Sequence, residues 1–343
     1  MALDHLPLLP TATIGSHSIP SWMYAVYDKM AGGEFGEVDA KEAYDDAVDT
    51  ALKDMEEAGL DIVSDGEMRR VGYILSFYDH FAGLRKRDLP RKVGVLAYDG
   101  QHHFDAMERV TAPNGLGLRE EFAYTKTRTT HPIKVPVPGP LTLATHIEKG
   151  AAYGRRRDIS YDLCKIINEE LRAVVEAGAE YVQVDEVFQV FSMRPEILVD
   201  CYNRCVDGVK AKLGLHICFG TLGGFGYSAR TYRPLFPALN DCAAHNLALE
   251  FANREMSEAG MWAEVKCDKE LTAGVIDLKS FAIETPEQVA DRIRLLLKAV
   301  PAEKLFLSPD CGLARIPRYL GKAKLKALVE GAKIVRRELS GAA

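Results

Sequence analysis

The sequence of 343 residues lacks the features that mark nucleic-acid-binding and membrane proteins. It has no run rich in Lys or Arg, and its 49 acidic residues outnumber its 43 basic ones. The positive charge that binds a phosphate backbone is therefore missing. No stretch reaches the 18 apolar residues that predict a membrane-spanning helix. The opening segment has an early Asp4 and no basic region, so we expect no signal peptide.

Cysteine is also sparse. The seven cysteines are an odd number and lie scattered along the chain, without the density of a disulfide scaffold. We therefore expect a reducing, cytoplasmic location, in which thiols are available to a metal. The 47% of hydrophobic residues is enough for a large core, which excludes disorder as the main state. The composition does not exclude an oligomer.

Short apolar runs alternate with longer amphipathic segments along the whole chain, a pattern typical of repeated βα units. The predicted strands are Thr11–Gly15, Asp61–Ser64, Lys134–Val137, Tyr181–Asp185, Leu215–Phe219, Leu247–Phe251, Ala273–Leu278 and Leu305–Ser308. The predicted helices are Ala40–Ala58, Leu141–Gly150, Tyr161–Ala177, Pro195–Lys212, Tyr232–Ala244, Pro286–Val300 and Leu320–Leu339. Eight strands are what a closed (β/α)8 TIM barrel needs, so the fold class predicted is α/β.

Two segments exceed a minimal barrel. The first, around residues 85–133, predicts a cap-like or hairpin insertion after the second strand. The second is the loop 220–233 after the fifth strand, which is rich in glycine and aromatic residues. Long loops at the carboxyl ends of barrel strands are where such proteins carry their chemistry.

Four residues with metal-binding side chains stand at the carboxyl ends of three predicted strands: His216, Cys218, Glu250 and Cys311. Positions i and i+2 of a strand share a face, so His216 and Cys218 can both point into the barrel mouth. An imidazole, two thiolates and a carboxylate suit zinc better than magnesium or calcium. Each residue alone is more often structural, but the set of four at matching strand ends favours a metal site. The other cysteines are interpreted as structural.

A second group of residues lies at the ends of the remaining strands and offers carboxylates, a hydroxyl and backbone groups. Its members are Ile14, Gly15, Ser16, Glu67, Asp185 and Glu186. Carboxylates clustered at a mouth repel one another unless a cation lies between them, which indicates a substrate ammonium. Ser16 and the backbone around Gly15 offer donors to a substrate carboxylate. Alternatively, Asp185 and Glu186 form ion pairs with a rim arginine such as Arg69.

The strings that carry these residues resemble a known family. TATIGSHS, SDGEMRR, VPGPLTLATH, VQVDEVF, HICFG, LEFANREM, GVIDLKS and LSPDCGL, in this order, are similar to the catalytic barrel of cobalamin-independent methionine synthase. The likeness runs from Thr11 to Glu338 and is greatest to the core forms, which have this barrel alone. It implies a single zinc-binding catalytic domain over residues 1–343 and a zinc-dependent methyltransferase that converts homocysteine to methionine.

The resemblance also implies roles for individual residues. Zinc would be held by His216, Cys218, Glu250 and Cys311. The homocysteine carboxylate would lie near Ser16, and its ammonium on Glu67 and Asp185.

The sequence departs from the family's long enzymes at Lys279, which stands where they have a proton-relaying histidine, two residues after Asp277. We therefore consider Asp277 and Lys279 candidate catalytic residues. A methyl-folate donor needs a proton on its leaving nitrogen, whereas a methyl-corrinoid donor does not. Lys279 thus favours a non-folate donor, unless it merely pairs with Asp277. The partners expected are a small-molecule thiol and a methyl donor, whether folate, corrinoid or another.

Two other functions compete with this prediction. One is a different zinc-dependent thiol alkylation, such as epoxyalkane:coenzyme M transfer. The sulfonate of coenzyme M would need basic residues, for which Arg69 and Arg70 are candidates, whereas Glu67 and Asp185 favour an amino acid. The other is a metal-free decarboxylase of the uroporphyrinogen type on the same fold.

Overall fold

The structure, a computed structural model, describes residues 2–89, 101–187, 194–220 and 230–341. Its strands are β1 Ala82–Lys86, β2 Phe104–Thr111, β3 Lys134–Pro138, β4 Ile147–Glu148, β5 Tyr181–Glu186, β6 Lys212–Ile217, β7 Asn246–Glu250, β8 Glu270–Ile276 and β9 Leu305–Pro309. Its α-helices are α1 Ser21–Ala31, α2 Glu37–Ala58, α3 Leu118–Arg128, α4 Pro140–Ala144, α5 Arg157–Glu176, α6 Pro195–Val206, α7 Met261–Glu264, α8 Pro286–Leu296 and α9 Arg318–Ser340.

The central sheet is parallel and closes into a barrel. Six strands pair in the order β3, β5, β6, β7, β8, β9. Three single parallel bridges complete the ring, joining Thr11 to Leu307, Ala12 to Ile62 and Val63 to Ile133. The segments around Thr11 and Ile62 therefore act as the first and second strands, although each contributes only two bridged residues. This ring of eight confirms the predicted (β/α)8 architecture.

Amphipathic helices cover the outside of the ring. In α5 the buried residues recur every three or four positions, as in Ile159, Leu163, Ile167, Leu171 and Val174. Helix α8 begins with Pro286 at a position that needs no hydrogen-bond donor, after a capping box between Thr285 and Gln288. The faces so buried form one large apolar cluster between the sheet and the helices.

The barrel lumen is largely polar and is closed at its lower end, where the strands begin. A separate small apolar cluster of Ala12, Ile62, Tyr181 and Phe306 lies there, with Leu3 and Leu6 packed against it. Lys134, Gln183, Asn246 and Thr272 are buried along the strands above and around this cluster. The carboxyl ends of the strands form the upper end, where side chains can meet a ligand.

The insertion predicted around residues 85–133 is a hairpin followed by a barrel helix. β1 and β2 pair antiparallel, and β2 also pairs in parallel with β4, which ties the hairpin to the segment after α4. Helix α3 then returns the chain to the barrel. Residues 90–100 lie outside the described residues, as do residues 221–229 of the glycine-rich loop predicted at 220–233.

Three predicted helices are wrong in extent or kind. Tyr232–Ala244 contains only two 3-10 turns, because Pro234 and Pro237 remove helix hydrogen bonds. Leu141–Gly150 is helical only to Ala144 and then forms β4. Pro195–Lys212 ends at Val206, since Gly208 takes a positive φ of 67° and Lys212 starts the next strand. Among the described residues, none of the helices combines the length and apolar content that crossing a bilayer requires.

Candidate metal and substrate site

Three of the four predicted metal ligands meet at the upper end of the lumen. His216 and Cys218 lie at and just beyond the end of β6, and Cys311 follows β9. Their ligand atoms all lie within 4.8 Å of one another, and the two sulfur atoms are 3.2 Å apart. Since i and i+2 on a strand share a face, the H-x-C spacing delivers both side chains to the same point.

His216 is oriented as a metal-ligating histidine usually is. Its Nδ1 lies 3.0 Å from the carbonyl oxygen of Ala248, which fixes the proton on that nitrogen. Its Nε2 is buried and has no hydrogen-bond partner within the described part of the chain. Nε2 therefore lies on the side of the two sulfurs, and a buried ring nitrogen in this position fits a metal ligand.

The two cysteines differ in their readiness to lose a proton. The hydrogen bond from the Cys218 thiol lowers the pKa of Cys311 well below its ordinary value, against the opposing effect of burial. The same contact, together with burial, raises the pKa of Cys218. The backbone N–H of Gly220 donates to the Cys218 sulfur at 3.0 Å. Cys311 is therefore the thiol that loses its proton more readily, and a divalent cation would favour the thiolate form of both.

Glu250, the fourth predicted ligand, lies beside this group without belonging to it. Its side chain is fully buried at the end of β7. One carboxylate oxygen accepts the N–H of Phe219 at 2.9 Å. The other accepts from Asn253 at 2.5 Å and from the ammonium of Lys279 at 2.6 Å. The Lys279 ammonium therefore pairs with Glu250, whereas the Asp277 side chain accepts the backbone N–H of Lys279, at 2.8 Å.

Asp310 connects the turn after Glu250 to the segment of Cys311, a role that the sequence analysis did not predict. Its carboxylate accepts the backbone N–H groups of Phe251, Ala252 and Asn253 and the side-chain amide of Asn253, all within 3.0 Å. Asp310 thereby fixes the turn after Glu250 to the residue that precedes Cys311. Burial raises the pKa of Asp310 to about 7. Its place directly before Cys311, inside the string S-P-D-C-G, is the sequence feature that could have indicated this role.

Glu67 and Asp185 form an acidic pocket next to the sulfurs. Both are buried, and burial raises the pKa of Asp185 and raises that of Glu67 to about 8. Gln183 donates to one oxygen of Asp185 at 2.8 Å, and the hydroxyl of Tyr73 donates to the other at 3.2 Å. Burial and the Asp185 carboxylate raise the pKa of Tyr73 well above its usual value, so it remains a donor.

Glu67 is held in a strained backbone conformation, with φ at 57°. Arg70 donates to its carboxylate at 3.0 Å, and also to Glu121 at 3.1 Å and to the carbonyl of Pro136 at 3.0 Å. One arginine thus serves two buried carboxylates, while Asp185 receives only neutral donors in the described residues. Burial with too few cationic partners keeps the pKa values of Glu67 and Asp185 raised, a state that a bound ammonium ion would relieve.

Ser16 lies next to the Cys311 segment. Leu313 donates its N–H to the Ser16 carbonyl at 2.8 Å, and a Cβ on Gly312 would come within 2.0 Å of the Ser16 hydroxyl. Gly15 is equally constrained, because a Cβ there would lie 2.7 Å from an oxygen of Glu67. The Ile14 carbonyl accepts from Gln183 at 2.9 Å. The structure therefore brings this predicted loop to the rim of the acidic pocket.

Two other rim residues have structural partners. The Glu186 carboxylate accepts the N–H groups of Leu141 and Thr142 and the Thr142 hydroxyl, so it caps the short helix α4. Arg69 pairs with Asp45 at 2.5 Å and lies over the Tyr124 ring. Arg69 therefore pairs with neither Asp185 nor Glu186.

The upper end of this (β/α)8 barrel, where enzymes of this fold carry their sites, thus brings together an imidazole and two thiols that could hold a metal ion, beside buried carboxylates. The sequence model of the protein family described as cobalamin-independent synthase, catalytic domain, matches residues 9–334. The chain belongs to this family, whose members include methionine synthases and are methyltransferases.

Individual relatives agree over nearly the full chain. A methionine synthase of Sulfurisphaera tokodaii is 33% identical over 339 residues, covering 98% of this chain and 95% of that protein. One of Thermococcus kodakarensis is 34% identical over 342 residues, with 98% and 96% covered. The solved structure of a B12-independent methionine synthase from Shewanella sp. W3-18-1, in complex with selenomethionine, has a TM-score of 0.84 at 28% identity, with 97% and 99% covered.

Proposed function

We propose that this chain is a zinc-dependent methionine synthase that transfers a methyl group to the thiol of homocysteine, acting as one catalytic domain. The observation that carries the proposal is the convergence of His216, Cys218 and Cys311 beside the pocket of Glu67 and Asp185. A metal that activates a thiol and a pocket that binds an amino group are the two parts this reaction needs.

The donor set fits zinc. One imidazole and two sulfurs, of which Cys311 has a lowered pKa, form a borderline-soft site that zinc favours over harder cations. Zinc held by His216, Cys218 and Cys311, with Glu250 as the predicted fourth ligand, would lower the pKa of a substrate thiol so that its sulfur is a thiolate at neutral pH.

The protein's own residues would then hold the amino acid. Glu67 and Asp185 bind the ammonium, Tyr73 orients the Asp185 carboxylate, and Ser16 lies where it can donate to the substrate carboxylate. These contacts hold the homocysteine sulfur in one direction. Orientation of this kind lowers the barrier of a bimolecular transfer because the reacting groups no longer search for each other.

The identity of the methyl donor bears on Asp277 and Lys279. The ammonium of Lys279 is bound to Glu250, and the Asp277 side chain holds the Lys279 backbone. Neither arrangement leaves a free acid for a folate nitrogen. We therefore propose a donor, such as a methyl-corrinoid, whose leaving group departs without a proton.

The pocket argues against coenzyme M as the thiol. A sulfonate needs a free cation, but Arg69 is paired with Asp45 and Arg70 already serves Glu67, Glu121 and a carbonyl. The metal-free decarboxylase is disfavoured by the His216, Cys218 and Cys311 group, which such a reaction does not use.

The test is a methyl-transfer assay with the purified, zinc-loaded protein. Homocysteine and coenzyme M are each combined with methyl-folate, methylcobalamin and an epoxide. The proposal predicts methionine from homocysteine, with methylcobalamin the better donor, and no product with coenzyme M. Alkylation of coenzyme M but not of homocysteine would overturn the substrate assignment, and full activity of a zinc-free sample would overturn the metal assignment.

A further inference from the structure

His17 belongs to a buried charged cluster between the upper end of the barrel and helices α2 and α9. Its Nε2 lies 3.1 Å from a carboxylate oxygen of Asp54 on α2, and both side chains are 0% exposed. Arg318, the first residue of α9, donates to both oxygens of Asp54 at 2.5 and 2.7 Å, and Lys322 pairs with it at 2.8 Å. Burial alone would raise the pKa of Asp54, but the hydrogen bonds from these three side chains outweigh it and hold that pKa well below its ordinary value. Because an ionised carboxylate only accepts hydrogen bonds, Nε2 of His17 carries the proton in this contact.

The backbone at His17 connects two loops of the proposed substrate pocket. Its N–H donates to the carbonyl of Gly66 at 2.9 Å, directly before Glu67. One residue earlier, the carbonyl of Ser16 accepts the N–H of Leu313 at 2.8 Å. His17 therefore links the segment that carries Ser16 to the segment that carries Glu67.

Close packing leaves His17 little room to move. A Cβ on Gly66 would come within 2.8 Å of a side-chain carbon of α2 and within 3.0 Å of the His17 Cβ. Among residues 14–18 only Ser16 is partly exposed, and the other four are buried. Since protein interiors are close-packed, a shift of His17 would be passed to Gly66 and to Glu67 after it. The position of the imidazole thus bears on both ends of an amino acid bound between Ser16 and Glu67.

We propose that His17 is a positioning residue whose hydrogen bond to Asp54 sets the spacing between Ser16 and Glu67, and thereby the selectivity for a ligand that has both a carboxylate and an ammonium group. The inference rests on the proposed function, because it takes Ser16 and Glu67 to receive these two groups. A ligand that binds at both ends gains from a fixed spacing, since less freedom is lost on binding. A ligand with only one of the groups can follow a displaced loop and gains little.

Three variants alter this contact or its counterpart elsewhere. His17→Phe keeps a ring and removes the donor, whereas His17→Gln retains an N–H for Asp54. Asp54→Asn weakens the same contact from α2. Asp61→Asn is a matched control at the lower end of the barrel, because Asp61 joins the same first-strand segment to α9. It accepts from the N–H of Thr11 at 2.8 Å and from Arg336 at 2.5 Å.

The experiment measures Kd by calorimetry on folded, zinc-loaded protein for three thioethers. Methionine carries both groups, 4-(methylthio)butanoate only the carboxylate, and 3-(methylthio)propylamine only the ammonium. In H17F we expect Kd for methionine to rise about tenfold, as for the loss of one charge-assisted hydrogen bond, and Kd for each analogue to change less than about threefold. H17Q should bind methionine nearly as the wild type does, and D54N should show the same selective loss as H17F. D61N should lower the urea midpoint and leave the selectivity unchanged.

Equal losses for all three ligands in H17F would overturn the inference, because they would indicate general damage to the pocket, and so would an unchanged Kd for methionine. If H17F does not fold, D54N decides by the same two criteria. Failure of the proposed function looks different. In that case the wild type itself would bind methionine no more tightly than the two analogues, and the inference would fall with it.

Discussion

The two ends of the barrel lumen are built from the same strands but differ in their buried ionisable side chains, which include lysines at the lower end and are mainly carboxyl groups at the upper end. At the lower end the cations Lys134 and Lys212 lie over the ring of Tyr181, at 5.7 and 5.8 Å from its centroid, and Lys212 also pairs with Glu270. Apolar residues plug the remaining space.

At the upper end, carboxyl groups predominate, and cysteine sulfurs are also present. Glu67, Asp185, Glu250 and Asp310 are buried there, and burial raises the pKa of Glu67 to about 8 and that of Asp310 to about 7. Groups kept in such a state destabilise the protein and persist where a ligand compensates them. The contrast indicates that the lower end serves stability and the upper end serves binding.

Loss of a candidate metal ligand should have the largest effect on the function of the upper end. Cys311→Ser and His216→Ala are expected to lose zinc and to lower kcat/KM by more than about a thousandfold, because the substrate thiol would no longer be ionised. Zinc content and methyl transfer are measured on the same samples. Cys242→Ser, at a buried cysteine outside the group of His216, Cys218 and Cys311, is the control and should retain both. Retained activity in the Cys311 variant would contradict the assignment.

The acidic pocket should govern affinity more than turnover. Glu67→Gln and Asp185→Asn each remove a charge from the proposed ammonium site, and we expect KM for homocysteine to rise about 30-fold or more. The expected change in kcat is smaller, because the thiol is still activated. Glu186→Gln is the adjacent control. Its carboxylate caps α4, so stability should fall while KM stays within about threefold. An equal KM for homocysteine in the Glu67 variant and the wild type would contradict the assignment of Glu67 to the ammonium site.

The raised pKa of Glu67 predicts a pH dependence of binding. With a pKa of about 8, its carboxyl group holds a proton at pH 7 and must lose it to pair with an ammonium. Kd for methionine should therefore fall as pH rises from 6 to 8, by up to about tenfold per unit for this one proton. Calorimetric titrations in buffers of different ionisation enthalpy measure the proton release directly. Glu67→Gln should flatten the dependence, and a flat wild-type profile would contradict it.

Substitutions at the lower end should alter stability and not activity, so this prediction has the smallest expected effect on function. Burial lowers the pKa of Lys134 from 10.5 to about 7. Between these values the folded protein binds fewer protons than the unfolded chain, so the free energy of unfolding rises with pH, by at most about 1.4 kcal/mol per unit.

Lys134→Met should remove this rise, seen as a smaller difference between urea denaturation midpoints at pH 7 and pH 9. Because the charge of Lys134 also acts on Glu67 and Asp185, turnover is compared in Lys212→Met, whose kcat/KM should stay within about threefold of the wild type. A large loss of turnover would erase the distinction between the two ends.

Local patterns in the sequence were enough to predict much of the upper end. The H-x-C spacing places two side chains on one face of a strand, and barrel topology brings Cys311 to them. The same alternation could have separated Asp185 from Glu186, since neighbours on a strand face opposite sides. The βα alternation similarly predicted α2, α5 and α8, because that signal lies within a few residues.

What the sequence could not predict depends on contacts between distant residues. The pairing of Lys279 with Glu250 joins the ends of two strands 29 residues apart. Tyr73 reaches Asp185 across 112 positions from a loop whose pattern is neither helical nor extended. Partners of this kind can be identified only from the three-dimensional structure, in which closure of the barrel brings the strand ends together.

X-ray absorption of the purified protein at the zinc edge, with zinc content measured on the same sample, tests the central claim most directly. The account predicts one zinc per chain with two sulfur neighbours in the wild type, and a single sulfur neighbour in any zinc retained by Cys311→Ser. Absence of zinc, or the same sulfur count in both proteins, would contradict it.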